Sequence, residues 1–273
     1  RLRYNDFNQG NTNITNSYTT SNSPLLIGAS PDAVGTGIED HLDGDIAEII
    51  IVNTQMRSSW RKIINNYLSA KYNIDIRSGI DDYTMDDPVN GNYDHKVAGI
   101  GSQTSSPTGL NKIETSKGTG IVEISNASSL DNGDYLYWGE NLKDANYNFS
   151  TTTDYLERID TKWRVSEVGN VGTVTMSFDI SLIDLTGKQS CSDLTLVVSN
   201  DNFVANRTEY TLTISGSTAT ATGVSIADAD YFTLEYIDQI VLDGTTFYNG
   251  SGTGNAPNTT DDCYKLLIKN TAT

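Results

Sequence analysis

The sequence predicts an all-β fold, an antiparallel β-sandwich preceded by a single amphipathic helix, on three observations. From about residue 95 onward, short segments of alternating polarity recur between Gly, Asn and Asp turns: "KVAGIG", "GIVEIS", "DYLYWGE", "TKWRVSE", "GTVTMSFDIS", "DLTLVVS", "EYTLTIS", "TATATGVSI" and "YFTLEYI". Residues 58–72 carry apolar side chains at helical spacing. Apolar residues make up 37% of 273 positions, enough for cores, yet no run approaches the roughly 20 that span a bilayer. Strand-length segments of this kind pack as a sandwich because each buries one face and leaves the other in water.

Taken in order, residues 1–24 are polar and show no clear period. "PLLIGAS" (24–30) predicts a short strand, and "PDAVGTGIEDHLDGD" (31–45) a loop. Ile46, Ile49, Ile50, Ile51 and Val52 then predict a buried strand, opened by the turn Asp43-Gly44-Asp45. A strand apolar on both faces needs protein on each side, and the preceding residues, rich in Asn, Thr, Ser and Gly, offer little material for it. The missing layer is therefore expected upstream in a longer parent chain. In the helix, Trp60, Ile63, Ile64, Tyr67, Leu68 and Lys71 fall on one stripe, leaving Arg61, Lys62, Asn65, Asn66 and Ser69 outside it. Ser58 or Ser59 is expected to cap its start, and Asn73 to turn left-handed at its end. Residues 77–94 form the junction to the strands. The stretch 243–262 is too long and too rich in Gly and Asn for an ordinary turn, and reads as a site or a pinned surface loop.

Charge narrows the partners. With 35 Asp and Glu against 18 Lys and Arg, the formal net charge is −17. Nucleic acid and anionic lipid recruit clusters of Lys and Arg, so no nucleic-acid partner and no direct membrane insertion are expected. Acidic chains rich in Asn, Asp, Gly and Thr are common outside cells. Cys191 and Cys263 lie 72 positions apart without a CxxC or a His companion. A disulfide is expected ahead of two buried thiols, and closing that loop would contribute about 4 kcal/mol in an oxidising compartment.

Several phrases together carry a family resemblance. "SPLLIGAS", "LDGDIAEIIIVN" and "SSWRKIINNYLSAKYNI" resemble the end of a concanavalin A/laminin G-like jelly roll in large secreted proteins of the Bacteroidetes. Tyr67, Leu68, Lys71, Tyr72 and Ile74 match its closing-helix phrase, with Asn73 in place of the usual Gly. "VAGIGSQTSSPTGLNKIETSKG", "DYLYWGEN", "WRVSEVGNVGTVTMSFDIS" and "DGTTFYNGSGTGNAPNTTDDCYKLLIKN" resemble the β-domain that often follows such a jelly roll. The resemblance implies a partial jelly-roll/LamG-like segment over residues 1–76, closed by the helix at about 58–72, and a β-sandwich domain over 77–273. It also implies a cell-surface adhesin, including the gliding-motility adhesins exported by the type 9 secretion system.

The residues themselves offer modest chemistry. His41 and His95 each sit beside an Asp, Asp40 and Asp94, outside any nucleophile or metal pattern, and no catalytic role is expected. "GIGS" and "GSGTG" lack the Lys and the strand-to-helix setting of a phosphate loop. Calcium is the expected cofactor if there is one, since hard cations take several oxygens from a turn. Its candidate ligands are Asp43 and Asp45 in "LDGD", Asp131, Asn132 and Asp134 in "DNGD", and Asn200, Asp201 and Asn202 in "NDN". None follows EF-hand spacing, and an Asx turn between strands is the alternative at each loop. Tyr248 in the long loop is the candidate carbohydrate platform, because aromatic rings stack on pyranose faces; Trp60, Trp138 and Trp163 read as core. The expectation is a non-catalytic segment of an extracellular adhesin. Its partners are the flanking domains of the same polypeptide, a polysaccharide or surface ligand, and the secretion machinery as cargo. The alternative is a carbohydrate-binding module of a secreted polysaccharide-degrading enzyme.

Overall fold

The computed structural model describes residues 2–4, 7–10, 26–31, 37–53, 56–105, 109–142, 147–151, 157–185 and 192–238. The chain divides into two compact units between Met56 and Arg57. In the first unit, β1 (Leu2–Tyr4) pairs with β2 (Phe7–Gly10), and β3 (Ser30–Pro31) with β4 (Ile38–Glu39). The strand expected over 24–30 is not present at 26–29, where the chain bends through Gly28 (φ 74°), whose carbonyl accepts from the Leu42 N–H at 2.7 Å. The buried strand expected over 46–52 is also overturned. Ile49, Ile50 and Ile51 are exposed, Ile51 at 68%, and no strand is formed. Among the described residues of this unit no strand is paired with the segment, and a buried strand needs a ladder beside it.

The second unit opens with α1 (Ser58–Tyr72), the span its spacing predicts. Asn73 closes it at φ 50°, as expected, while Arg57 holds the N-cap position without a side-chain cap, so neither Ser58 nor Ser59 serves there. The strands follow: β5 (His95–Ser105), β6 (Gly109–Ile113), β7 (Thr115–Lys117), β8 (Val122–Ser125), β9 (Tyr135–Glu140), β10 (Phe149–Thr151), β11 (Glu157–Ile159) and β12 (Trp163–Val168). Then come β13 (Thr173–Asp179), β14 (Ser192–Ser199), β15 (Thr208–Thr211), β16 (Thr213–Ser215), β17 (Thr218–Ser225) and β18 (Tyr231–Asp238). They make an all-β sandwich of two antiparallel sheets. The larger runs β10-β11-β18-β12-β9-β5-β6, with β14 on the other edge of β18 and β15 beyond it; the smaller runs β16-β17-β13-β8-β7. β6 belongs to the large sheet and β7 to the small one with only Glu114 between them, so the chain turns a corner from sheet to sheet there.

Alternation sets which side chains meet. In β9, Leu136 and Trp138 face the small sheet, joining Ile124, Met176 and Phe178 in the main core. Trp163 stacks on Phe232 at 5.3 Å at its centre. The other face of β9 carries Tyr135 and Tyr137, and on these lie Ala70 of α1 with Tyr83, Met85 and Tyr93 from the segment after the helix. The helix thus covers the outer face of the large sheet. The division at 56/57 keeps α1 with the β-sandwich, whose outer tyrosine face it covers.

Candidate functional site

The helix buries a different stripe from the one its apolar residues outline. Ser59, Asn66, Ser69 and Ala70 are buried, and Asn66, expected outside, is a polar hub. Its Nδ2 donates to the carbonyls of Lys62 (2.9 Å) and Ile80 (2.7 Å), and its Oδ1 accepts from the N–H groups of Asp82 and Tyr83, both at 2.8 Å. These bonds tie the helix to the segment that crosses the tyrosines, so the small residues Ser59 and Ala70 set the close approach. The consequence is that Trp60, expected in the core, is 41% exposed.

Trp60, Ile63 and Ile64 form one wall of an open cleft of about 370 Å³, and residues 112–116, the β6–β7 corner, form the other. Gly99 lies at its floor. A Cβ there would stand 2.8 Å from Cδ1 of Tyr137, so the floor must be bare backbone. The same holds at Gly101 under Tyr135, where a Cβ would stand 2.0 Å from the ring. The two rings stack on each other at 5.8 Å. The glycines of "GIGS" are therefore seats for two tyrosines on the neighbouring strand, which pairs Gly99 with Tyr137 and Gly101 with Tyr135. Lys112 and Glu114 bring one charge of each sign to the cleft, and Thr115 and Ser116 add hydroxyls.

The buried charges lie elsewhere. A bulge in β5 places Lys96 and Val97 opposite Gly139, between the pairs His95–Glu140 and Ala98–Trp138, and Lys96 takes φ 50°. This turns its ammonium onto Glu140, which is fully buried, at 2.6 Å; Tyr147 Oη accepts from Lys96 at 3.0 Å and donates to Glu140 at 3.2 Å. Burial works to lower the Lys96 pKa, but Glu140 and Tyr147 outweigh it and the ammonium is held above its ordinary value. On the opposite face of the large sheet, Glu235, also fully buried, accepts from Arg158 Nε at 2.7 Å and from Arg207.

The sequence-predicted loops of the second unit are occupied by backbone ties. Asp134 Oδ2 accepts from the Asp131 N–H at 2.7 Å and its Oδ1 from the Asn170 N–H at 3.3 Å, while Asn132 Oδ1 accepts from the Thr104 N–H at 2.6 Å. This loop precedes β9 and pins neighbouring turns. Asp201, after β14, accepts from the N–H groups of Asn206, Ala205 and Val204 and from Ser199 Oγ. Those bonds, Asn206 foremost, lower its pKa to about 2. Asn202 Oδ1 accepts from Lys162 Nζ at 2.9 Å, and Asn200 is exposed nearby. Asp43 and Asp45 are exposed in the first unit. Among the described residues no three His, Cys, Asp or Glu side chains converge as a metal site. His95 lies 3.2 Å from Asp94, and His41 is exposed. Tyr248, Cys191 and Cys263 fall outside the described residues. Among the described residues no helix is long and apolar enough to cross a membrane.

Sequence reasoning missed the cleft because Trp60 sits on the apolar stripe; the signal that could have found it is the Asn66–Ser69–Ala70 face, polar and small, competing for the same burial. The family model "Domain of unknown function (DUF8202)" matches residues 60–230, more than half of the chain, from within α1 to the residue before β18. No curated protein and no solved structure matches the chain. On that match, which spans the helix, the cleft and most of both sheets, the chain belongs to the DUF8202 family.

Proposed function

We propose that the chain is a non-catalytic segment of a large bacterial cell-surface adhesin, architectural and adhesive in role, serving surface attachment or gliding motility. The observation that carries this reading is the use of the buried charges as ties between strands. Glu140 joins β9 to β5 through Lys96, and Glu235 joins β18 to β11 through Arg158. Cross-ties of this kind favour one rigid arrangement over raw stability, which suits a spacer in a long surface protein. The acidic coat, net −17, supports the same role by keeping a domain array soluble. From the resemblance in the sequence come an extracellular location, export as type 9 cargo and neighbouring domains in the same polypeptide, and from the acidic turns comes calcium at the junctions. The parent reading frame tests it. A signal peptide, tandem domains and an export signal at the end are expected; a frame joining this chain to the catalytic domain of a hydrolase overturns the adhesin reading.

A second reading, a carbohydrate-binding module of a secreted polysaccharide-degrading enzyme, is favoured by the exposed indole of Trp60. Such a frame would be its support.

A further inference from the structure

We propose that the cleft between α1 and the β6–β7 corner binds a neutral hexopyranose unit of a polysaccharide, seated on the indole of Trp60. This rests on the adhesive reading above and names what is held. The other two tryptophans, Trp138 and Trp163, are 1% and 2% exposed, so the fold does bury indoles where it has room. Trp60 is kept out because Asn66 fixes which side of the helix meets the sheet. The result is an apolar ring plane at the edge of a concave surface, with Ile64 beside it.

A pyranose presents an apolar C–H face and a rim of hydroxyls, each both donor and acceptor. The cleft offers the complement: the ring for the face, Lys112 as donor, Glu114 as acceptor, and the hydroxyls of Thr115 and Ser116 as either. At Gly99 the Tyr137 ring takes the space a side chain would fill and packs on the bare backbone, so the floor is rigid and little ordering accompanies binding. Charge selects the class. Lys112 and Glu114 cancel locally, so the cleft favours an uncharged ligand, and the chain as a whole, at −17, repels uronic or sulfated sugars. A volume of about 370 Å³ falls at the small end of ligand sites, suited to one or two rings. Its openness lets a polymer enter and leave sideways.

Affinity electrophoresis of the 273-residue chain through gels containing mixed-linkage β-glucan, galactomannan or hydroxyethyl cellulose, and alginate or pectin, tests the proposal. At least one neutral polymer is expected to retard the chain, and the two anionic ones to leave its mobility unchanged. Trp60→Ala should weaken binding by about tenfold or more, Trp60→Tyr should keep most of it, and Lys112→Met should weaken it several-fold, with thermal unfolding unchanged in Lys112→Met as the folding control. No retardation by any neutral polymer, preference for the anionic ones, or unaltered binding in Trp60→Ala each overturns the cleft assignment. So does loss of binding in Trp60→Ala together with a dimer-to-monomer change, which would make the cleft a contact between copies. None of these results bears on the parent reading frame, so the adhesin reading stands or falls separately.

Discussion

The amide of Asn66 makes four hydrogen bonds from a site 1% exposed, one to the Lys62 carbonyl of its own helix and three to backbone groups of residues 80–83, which lie outside any helix or strand. Asn66→Ala should therefore leave the N–H groups of Asp82 and Tyr83 without partners. A loss of about 2–4 kcal/mol is expected, read from urea unfolding, with amide exchange accelerating first over residues 80–93; unchanged protection there would refute the hub. Asp86, in the same segment, behaves differently. Burial, then the neighbouring carboxylate of Asp81, raise its pKa to about 6; Asp87 and Asp94 add to the effect, against a backbone hydrogen bond that opposes it. Because the folded value lies above the unfolded one, the folded state holds this proton more tightly. The stabilisation is complete below about pH 4 and is lost as pH rises to about 6. For a group still partly open to solvent this amounts to about 1 kcal/mol after screening. The stability gap between Asp86→Asn and the parent should widen in the variant's favour from pH 4 to pH 6.5 and then stay flat. A gap that does not change with pH would mean that folding leaves the proton affinity of Asp86 unchanged.

At the scale of elements, the β5 bulge does the most with the least sequence. One extra residue turns Lys96 from the solvent side onto Glu140, and the pair links two strands of the large sheet. Lys96→Met strands a carboxylate that is fully buried, and should cost about 3–5 kcal/mol. Adding Glu140→Leu removes the stranded charge, so the double variant should recover most of that loss in chemical denaturation. If the double variant is as unstable as Lys96→Met, the damage lies in the bulge and not in the charge. The bulge itself was not legible in "DHKVAGIG", since nothing in that string says that Lys96 will adopt a positive φ. The helix span and its Asn73 terminus were legible, because spacing and a left-handed residue are local properties. The nine alternating segments were legible for the same reason and all fall on strands of the sandwich. The glycines of β5 were visible but mute: their purpose lies in the rings of Tyr135 and Tyr137, more than 30 positions away. The stripe that α1 buries was misread because a buried Asn can outcompete a Trp only when backbone partners await it, and three of the four, on Ile80, Asp82 and Tyr83, lie outside the helical window. Over 46–52 the apolar run was read without the pairing that a strand requires, and the composition of a segment cannot supply that pairing.

At the scale of the whole molecule, the placement of α1 decides what counts as one folding unit. Tyr135 and Tyr137 are fully buried, and their cover is the helix with residues 81–93, so the large sheet is finished on its outer face only by sequence that precedes its first strand. Residues 57–273 should therefore fold without residues 1–56, in a single cooperative thermal transition, with tyrosine near-UV signals intact. A chain that begins at Arg77, where the family resemblance starts the sandwich, lacks Asn66 and Ala70 and leaves both rings facing water beside Gly99 and Gly101, which have no side chains to shield them. Two large aromatic side chains moved from burial to exposure forfeit about 3–6 kcal/mol between them, a large part of what a domain of this size holds in reserve. That shorter chain is expected to bind hydrophobic dye, lose near-UV structure and aggregate. Equal melting behaviour of the two would show that the helix is an appendage, and would favour the boundary after residue 76.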